Sequence, residues 1–228
     1  MRTTMLSLAR TLSRSVRLPE PIYEFGARRV PGQEHRGDVR SFFRDRRFIG
    51  TDVEPGEGVD AVLDLHRLGL DDGSIGTALV FDTIEHVRDP WRALAEIHRC
   101  LVPGGLLVIT SVMYFPVHAY PDDYWRFTAS GFSILLEPFH RIAVRAYGLE
   151  KLPHTVVGVA SKGPIEPTLE RAIIVALDAW GAHGARTWKE VAMALAPPVV
   201  LIPAYDAFMW GLRKLRSLRK GDAEQPDQ

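Results

Sequence analysis

The sequence is poor in cysteine: its 228 residues include only Cys100, which excludes a disulfide within the chain and a cysteine-based zinc site. This composition fits a reducing compartment, so we expect a cytoplasmic protein. The chain also lacks net charge, since 28 basic residues balance 28 acidic ones. Residues 48–90 hold ten acids against two arginines, which suits a cationic small ligand better than a nucleic acid. We therefore expect no nucleic-acid partner.

Long uninterrupted hydrophobic runs are missing as well. Near the N-terminus, Arg10, Arg14 and Arg17 interrupt the apolar residues, and no apolar stretch typical of a signal peptide is present. The remaining apolar residues recur at helical spacing. Residues 1–20 are therefore predicted to form a helix that packs on the domain rather than a membrane anchor.

The C-terminal part, residues 164–228, is predicted to be a helical, hydrophobic extension with a basic tail, and a helix is expected over residues 169–180. Residues 191–212 are largely apolar, but prolines and an aspartate interrupt them, so a membrane span is not predicted. Two interpretations stay open. The segment is either a helix pair packed on the domain or a peripheral membrane contact in which the basic residues 213–220 face anionic lipid.

The stretch of residues 77–110 organises the rest of the chain. Residues 77–81 form an apolar run typical of a strand buried on both faces. Asp89 is placed to cap a following amphipathic helix, which a Pro-Gly-Gly turn ends before a second buried strand at residues 106–110. Two such strands joined by a helix form a parallel unit, and ligands bind at the carboxyl ends of its strands. Residues 82–86, which follow the first strand, are therefore expected at the site.

Further segments complete an α/β fold. Strands are expected at residues 21–26, 48–52, 59–65, 141–147 and 155–160, and short helices at residues 38–43 and 128–136. We predict a Rossmann-like, mostly parallel seven-stranded sheet with helices on both faces, plus the C-terminal helical extension. The last two strands are expected to be antiparallel.

The order of these segments resembles the class I S-adenosylmethionine-dependent methyltransferases of the type-11 group, from Tyr23 to about Phe132. The segments that carry the resemblance are YEFGA, FIGTDVEPGEGVD, LDL, FDTIEHVRDPWRAL, LVPGGLLVIT and DDYWRFT. It implies a methyltransferase-like domain over residues 21–163, S-adenosylmethionine as cofactor, and transfer of its methyl group to an oxygen or nitrogen of a small-molecule acceptor. Where the family usually has a loop of the form G-x-G-x-G, this chain has Gly26-Ala27-Arg28.

The resemblance also implies which residues bind the cofactor. Asp52 ends the second strand, where a carboxylate can accept hydrogen bonds from both ribose hydroxyls. Glu24 is expected near the ammonium group of the methionine moiety, and Gly26 is expected where the backbone approaches the cofactor closely. The remaining expected contacts are Asp64 and Leu65 at the adenine and Asp82 near the methionine part. Structural roles are the alternatives, and for Asp64 the alternative is to cap the turn at His66.

The aromatic loop after the fifth strand is the expected acceptor wall. Its candidate acceptor-binding residues are Tyr114, Tyr120, Asp123, Tyr124, Trp125 and Arg126. His118 is the first candidate for a general base and His86 the second, because an imidazole with a pKa of about 6.5 suits proton removal near neutrality. The alternatives are that Trp125 packs beneath the sheet and that Glu85 and His86 hold their loop by hydrogen bonds. His86 and His98 match no metal-binding spacing, so no metal site is expected.

Two other functions remain open at the level of the sequence. One is a catalytically degenerate methyltransferase fold that binds a partner or a lipid, which the glycine-poor first loop and the hydrophobic extension favour. The other is a dinucleotide-dependent oxidoreductase, against which the missing G-x-G-x-x-G pattern argues.

Overall fold

Seven strands form one sheet in the order β3-β2-β1-β4-β5-β7-β6. The computed structural model describes residues 3–29, 38–118, 122–149 and 152–184. The strands are β1 (Ile22–Phe25), β2 (Phe48–Asp52), β3 (Ala61–Val62), β4 (Ile75–Phe81), β5 (Leu101–Val112), β6 (His140–Leu149) and β7 (Leu152–Ser161). The pairs among β1 to β5 are parallel, whereas β7 is antiparallel to both β5 and β6. The predicted Rossmann-like, mostly parallel sheet is confirmed.

Helices cover both faces of this sheet. On one face, α1 (Thr3–Ser15) and α4 (Pro167–Gly184) share a hydrophobic core with the sheet. On the other face lie α2 (Pro90–Cys100) and α3 (Ala129–Leu135) with a second core. The helix predicted over residues 169–180 is therefore confirmed as part of α4. The two cores hold the sheet from both sides, which leaves its carboxyl edge for a ligand.

The central unit forms as its sequence pattern predicts, because every residue of β4 is buried and Asp89 accepts a hydrogen bond from the Arg92 amide at the start of α2. The Pro-Gly-Gly segment, however, is not a turn between α2 and the next strand. It lies inside β5, which begins at Leu101, and the register slips between Ile75–Leu101 and Thr77–Leu106. A Cβ on Gly105 would lie 2.8 Å from the Val102 carbonyl oxygen and 3.0 Å from that of Gly76. Glycine therefore permits the close backbone approach at this bulge.

The third strand is shorter than predicted. Instead of residues 59–65, only Ala61–Val62 pair with β2. The chain then turns because Leu65 and Leu68 are buried in the core on the α2 side. The helix predicted at residues 38–43 is the single 3-10 turn Val39–Phe42, which the Asp38 side chain caps.

The N- and C-terminal helices contact each other directly. Trp180 of α4 donates a hydrogen bond from Nε1 to the Ser7 hydroxyl of α1 at 2.8 Å. Among the described residues, no helix is both long enough and apolar enough to cross a membrane. The predictions for residues 191–212 and 213–220 lie outside the described residues.

Candidate active site

The parallel strands β1, β2, β4 and β5 end at the same edge of the sheet, and most of the predicted site residues follow these ends. The N-terminal end of α1 reaches this edge too, since the Thr110 hydroxyl of β5 contacts the Met5 sulfur at 3.1 Å. The carboxyl edge is therefore framed by strand ends, their loops and one helix end.

Glu24 is the buried acid of this edge. Glu24 is 3% exposed, and its Oε1 atom has no hydrogen-bond partner among the described residues. Burial raises the pKa of Glu24 to about 8, and the nearby charge of Asp38 acts in the same direction against Arg40 and Arg29. An uncompensated buried carboxyl group is costly, so a cationic group placed beside it would be favoured.

Gly26 has a backbone conformation that favours glycine, with φ of +83°. A Cβ at this position would lie 2.3 Å from the Thr83 hydroxyl oxygen. Thr83 belongs to the loop after β4 and contacts the Phe25 and Phe81 carbonyl oxygens at 3.1 and 3.0 Å. The close approach at Gly26 is therefore between the end of β1 and the loop after β4.

The Asp52 carboxylate organises the loop that replaces a glycine-rich one. It accepts hydrogen bonds from the Arg28 amide at 3.2 Å and the Glu54 amide at 3.1 Å. The Arg28 side chain forms an ion pair with Glu54 across the same turn. A carboxylate has about four lone-pair positions, so Asp52 retains acceptor capacity beyond these two amides.

Asp64 makes the contacts expected of a turn cap. Its Oδ1 atom accepts a hydrogen bond from the His66 amide and lies 2.8 Å from the His66 ring nitrogen Nδ1. Burial acts to raise the pKa of Asp64, but these hydrogen bonds hold the pKa below its usual range. The neighbouring Leu65 is buried, whereas 54% of the Asp64 side chain is exposed. The capping interpretation thus has direct contacts, and the adenine role of both residues stays a prediction.

The loop after β4 begins at Asp82, a non-glycine residue with φ of +47°. The Asp82 amide donates to the Thr110 hydroxyl oxygen at 3.0 Å, and the Asp82 carboxylate lies 3.0 Å from the same oxygen. Non-glycine residues rarely adopt this conformation, and they do so more often at functional sites. Two hydrogen bonds to β5 hold Asp82 there.

Glu85 joins three segments of the edge. It lies in the 3-10 helix Ile84–His86 and is fully buried. Its carboxylate accepts a hydrogen bond from the Ser111 hydroxyl of β5 at 3.0 Å. Its carbonyl oxygen accepts from the amides of Tyr124 and Trp125 at 2.9 and 3.2 Å. Glu85 belongs to the segment 82–86 that the sequence predicts at the site, although no catalytic or binding role is predicted for it.

The two candidate bases lie together. The rings of His86 and His118 are 4.8 Å apart between centroids and nearly perpendicular. Burial lowers the pKa of His118, against the opposing charge of Asp123, so the neutral ring is favoured at neutral pH. His98, whose spacing from His86 fits no metal-binding motif, packs on Phe139 at 4.9 Å. The partner of His86 is thus the histidine of the aromatic loop.

Two of the predicted acceptor-binding residues neutralise each other. Arg126 forms two hydrogen bonds with Asp123, whose side chain is 2% exposed, and holds its pKa down to about 2. Asp123 also accepts from the His118 amide at 2.8 Å. This ion pair therefore fixes the loop that carries His118.

The aromatic candidates divide between core and surface. Trp125 donates from Nε1 to the Val87 carbonyl oxygen at 2.9 Å and packs edge-to-face on Trp91 at 5.6 Å, which is the packing alternative foreseen for it. Tyr124 is exposed and donates to the Asp122 carboxylate, whereas Tyr114 is half-buried beside β7. Tyr120 lies outside the described residues.

An open cleft of about 480 Å³ lies where the Asp64 turn meets the start of α2. Its lining residues are His66, Arg88, Asp89, Trp91 and Arg92. The sequence pattern predicts only that residues 88–92 begin the helix α2, and it does not indicate the cleft. Two arginines and an exposed tryptophan give the cleft a cationic, aromatic character.

The family of the central segment can be identified by comparison. A family model of the methyltransferase domain matches residues 47–109, which extend from β2 into β5. This central segment resembles a methyltransferase domain. A curated relative, an uncharacterized 37.1 kDa protein in transposon TN4556 of Streptomyces fradiae, is 52% identical over 46 residues, which are 20% of this chain and 13% of that protein.

Solved structures share the fold of this methyltransferase domain. A Burkholderia thailandensis 1,6-didemethyltoxoflavin-N1-methyltransferase with bound S-adenosylhomocysteine is 17% identical, with a TM-score of 0.55 over 71% of this chain and 79% of that one. An S-adenosylmethionine-dependent methyltransferase from Mesorhizobium loti is 15% identical, with a TM-score of 0.52 over 70% and 98%. The [4+2]-cyclase SpnF is 14% identical, with a TM-score of 0.52 over 69% and 80%.

The domain match and the fold support an S-adenosylmethionine-dependent methyltransferase, with S-adenosylmethionine as the cofactor. The described residues fit this cofactor in two respects. The buried Glu24 carboxyl group, whose Oε1 atom has no partner within the ranges that the structure describes, is suited to a cationic ammonium group. Asp52 retains acceptor capacity at the end of β2. The cofactor carries both an ammonium group and ribose hydroxyls.

Proposed function

We propose that this methyltransferase transfers the methyl group to an oxygen or nitrogen of a small-molecule acceptor bound against the aromatic loop. The observation that carries the cofactor part of the proposal is the buried Glu24 at the end of β1, on the edge that also holds Asp52 and Asp82. Within the described part of the chain, its Oε1 atom has no hydrogen-bond partner. The Burkholderia thailandensis enzyme, whose name states an N1-methyltransferase, supports nitrogen as one kind of acceptor atom.

Residues at four strand ends would hold the cofactor. Glu24 pairs with the ammonium group, and Asp52 accepts hydrogen bonds from the ribose hydroxyls. Asp64 and Leu65 would contact the adenine of the cofactor, and Gly26 and Asp82 would lie near its methionine part. When bound, S-adenosylmethionine supplies an electrophilic methyl group on a positively charged sulfur. The chain then has to align the acceptor, and in favourable cases alignment alone can contribute about 7–11 kcal/mol.

The aromatic loop supplies the acceptor side. Tyr114 and Tyr124 would provide flat surfaces for the acceptor, as would Tyr120, which lies outside the described residues; Trp125 instead packs on Trp91. The Asp123–Arg126 ion pair holds the loop in place. His118 is our first candidate to remove the proton of the acceptor, and His86 is the second. The lowered pKa of His118 keeps its ring neutral and therefore able to accept a proton.

Equilibrium binding tests the cofactor assignment first. The full chain should bind S-adenosylmethionine saturably in calorimetry and should not bind NAD under the same conditions. Incubation with radiolabelled S-adenosylmethionine and a metabolite extract should then produce labelled small molecules. Absence of cofactor binding by folded protein would overturn the proposal.

A catalytically degenerate fold that binds a partner or lipid is the second candidate. One observation favours it: the first loop packs against the turn after β2, where a Cβ on Gly58 would lie 2.7 Å from the Ala27 carbonyl oxygen. SpnF, named as a cyclase, has the same fold, so the fold does not fix the chemistry. Cofactor binding without methyl transfer to any fraction of the extract would favour this candidate. Cytoplasmic location and peripheral membrane contact through the C-terminal tail stay predictions.

A further inference from the structure

Three potential metal ligands converge at the carboxyl edge of the sheet. One ligand atom from each of Glu85, His86 and His118 lies within 4.8 Å of the other two. Glu85 and His86 belong to the 3-10 helix after β4, whereas His118 comes from the loop after β5. Residues 32 positions apart are thus brought together by the parallel pairing of β4 and β5.

The hydrogen bonds of the two rings favour the tautomer that a metal needs. Nδ1 of His86 lies 2.5 Å from the Asp122 carbonyl oxygen. Nδ1 of His118 lies 3.1 Å from the Asp123 carboxylate and 3.2 Å from the Pro116 carbonyl oxygen. Oxygen acceptors at Nδ1 place the proton there and leave Nε2 with its lone pair. Metal-binding histidines are commonly held in this way.

The surroundings also restrict the three side chains. Ser111 donates a hydrogen bond to the buried Glu85 carboxylate. Arg126 holds Asp123, which in turn accepts from the amide of His118. A divalent cation at this position would be attracted to the Glu85 carboxylate, and the two imidazoles would supply nitrogen ligands.

We propose that Glu85, His86 and His118 bind a divalent first-row transition-metal ion. Two imidazoles and a carboxylate suit Zn²⁺, Co²⁺, Mn²⁺ or Fe²⁺ better than Mg²⁺ or Ca²⁺, which prefer oxygen ligands. Bonds from zinc to such ligands are about 2.0–2.2 Å long, so the ligand atoms, which lie within 4.8 Å of one another here, must approach one another when the ion binds.

A bound ion changes the role of the two histidines. A histidine that ligates a metal cannot also take the proton of the acceptor. The ion has open coordination positions, where an acceptor hydroxyl would bind with a lowered pKa and lose its proton to water. This catalytic role rests on the proposed function, whereas metal binding itself does not.

Metal binding is tested on the full chain after dialysis against EDTA. Titration with CoCl₂, followed by the visible absorption of Co²⁺, and with ZnCl₂, followed by calorimetry, should give one ion per chain. His118→Ala and His86→Ala should each weaken binding by more than the roughly 10–100-fold loss caused by removing a hydrogen-bond partner of a ligand. His98→Ala, outside the cluster, is the matched control and should bind like the wild type. Equal affinities of the wild type and His118→Ala would overturn the site.

The catalytic role has a separate readout. His118→Ala lowers turnover whether the residue is a base or a ligand, so the variant alone does not distinguish the roles. If the ion acts on the acceptor, EDTA should abolish methyl transfer by the wild type, and Zn²⁺ or Mn²⁺ should restore it without changing cofactor affinity. Activity that persists in EDTA would overturn this role and leave His118 as the base. One bound ion in a chain that does not bind S-adenosylmethionine would support the site and overturn the proposed function.

Discussion

At the scale of single residues, the site is defined by acids with very different surroundings. Glu24 is buried, and its Oε1 atom has no hydrogen-bond partner in the described part of the chain, whereas Asp52 is held by two backbone amides and Asp123 by an arginine. The positions of Glu24 and Asp52 follow from the sequence, because each comes at the end of an apolar strand. Their surroundings do not, because burial and hydrogen-bond partners depend on loops that the strand pattern does not specify.

Glu24 should make stability depend on pH. Its pKa is about 8 in the folded chain against 4.5 for a glutamate in an unfolded chain, so between these values the folded chain holds one more proton than the unfolded chain. The free energy of unfolding should therefore fall as pH rises through this window. Glu24→Gln, which stays neutral, should remove this dependence in urea denaturation at pH 5.5 and 8.5.

The control for this measurement is Glu137→Gln, since Glu137 is exposed. It should keep the pH dependence of the wild type. Asp38, Arg40 and Arg29 are the charged neighbours of Glu24 and stay unchanged in both variants. Identical pH profiles for the wild type and Glu24→Gln would show that the group does not retain its proton in the folded chain.

Asp52 should contribute strongly to cofactor affinity. Asp52→Ala removes the acceptor of two charge-assisted hydrogen bonds, each worth about 1.5–3 kcal/mol, so calorimetry should show S-adenosylmethionine binding at least about tenfold weaker. Asp52→Asn is the matched variant, since its side-chain oxygen can still accept a hydrogen bond from the Arg28 or Glu54 amide. If both variants keep the wild-type affinity, Asp52 holds only its own loop.

At the scale of elements, the sequence pattern predicts a strand or helix best where the apolar run and the capping residue indicate the same bounds. The β4–α2 segment forms as its apolar run and Asp89 cap indicate. The third strand fails after Val62, because burying Leu65 and Leu68 against the second core outweighs continued pairing with β2. The contact between the rings of His86 and His118 could not be predicted from the sequence either, because it depends on how two loops fold over neighbouring strands.

The contact between the ends of β1 and β4 gives an element-scale prediction. Gly26→Ala places a methyl group against Thr83 and forces a residue with a side chain into φ of +83°, so it should destabilise the fold. Strain of this backbone type costs on the order of 1–3 kcal/mol, and the clash adds to it. Thr83→Ala removes the clashing hydroxyl, so the double variant should recover part of the loss in urea denaturation.

The test is whether the stability losses of Gly26→Ala and Thr83→Ala add up in the double variant. If the losses of Gly26→Ala and Thr83→Ala simply add, the two residues are not in contact and the strand ends are arranged differently. Recovery in the double variant would support the contact. Residual loss in that variant would report the backbone strain at Gly26.

At the scale of the whole molecule, α4 belongs with the sheet although the sequence resemblance ends before it. Ile173, Leu177 and Trp180 of α4 are buried in the core that α1 shares. The Tyr147 ring of β6 lies 4.5 Å from that of Trp180, and its hydroxyl donates to the Leu177 carbonyl oxygen. The sequence predicts a separate helical extension from residue 164 onward, but the hydrophobic core of the sheet continues through α4.

Shortening the chain should therefore have two different results. Removal of residues 185–228 leaves α4 and every contact described for it, so the shortened chain should fold and bind S-adenosylmethionine with the affinity of the full chain. Any association with anionic liposomes should disappear, because the basic residues 213–220 are then missing. Removal from residue 163 onward also deletes Trp180, and substitution of a buried tryptophan by alanine alone costs about 3–5 kcal/mol, so that chain should unfold or aggregate. Circular dichroism and calorimetry on both chains measure these effects. A soluble chain without residues 185–228 that has lost cofactor binding would show instead that the tail completes the site.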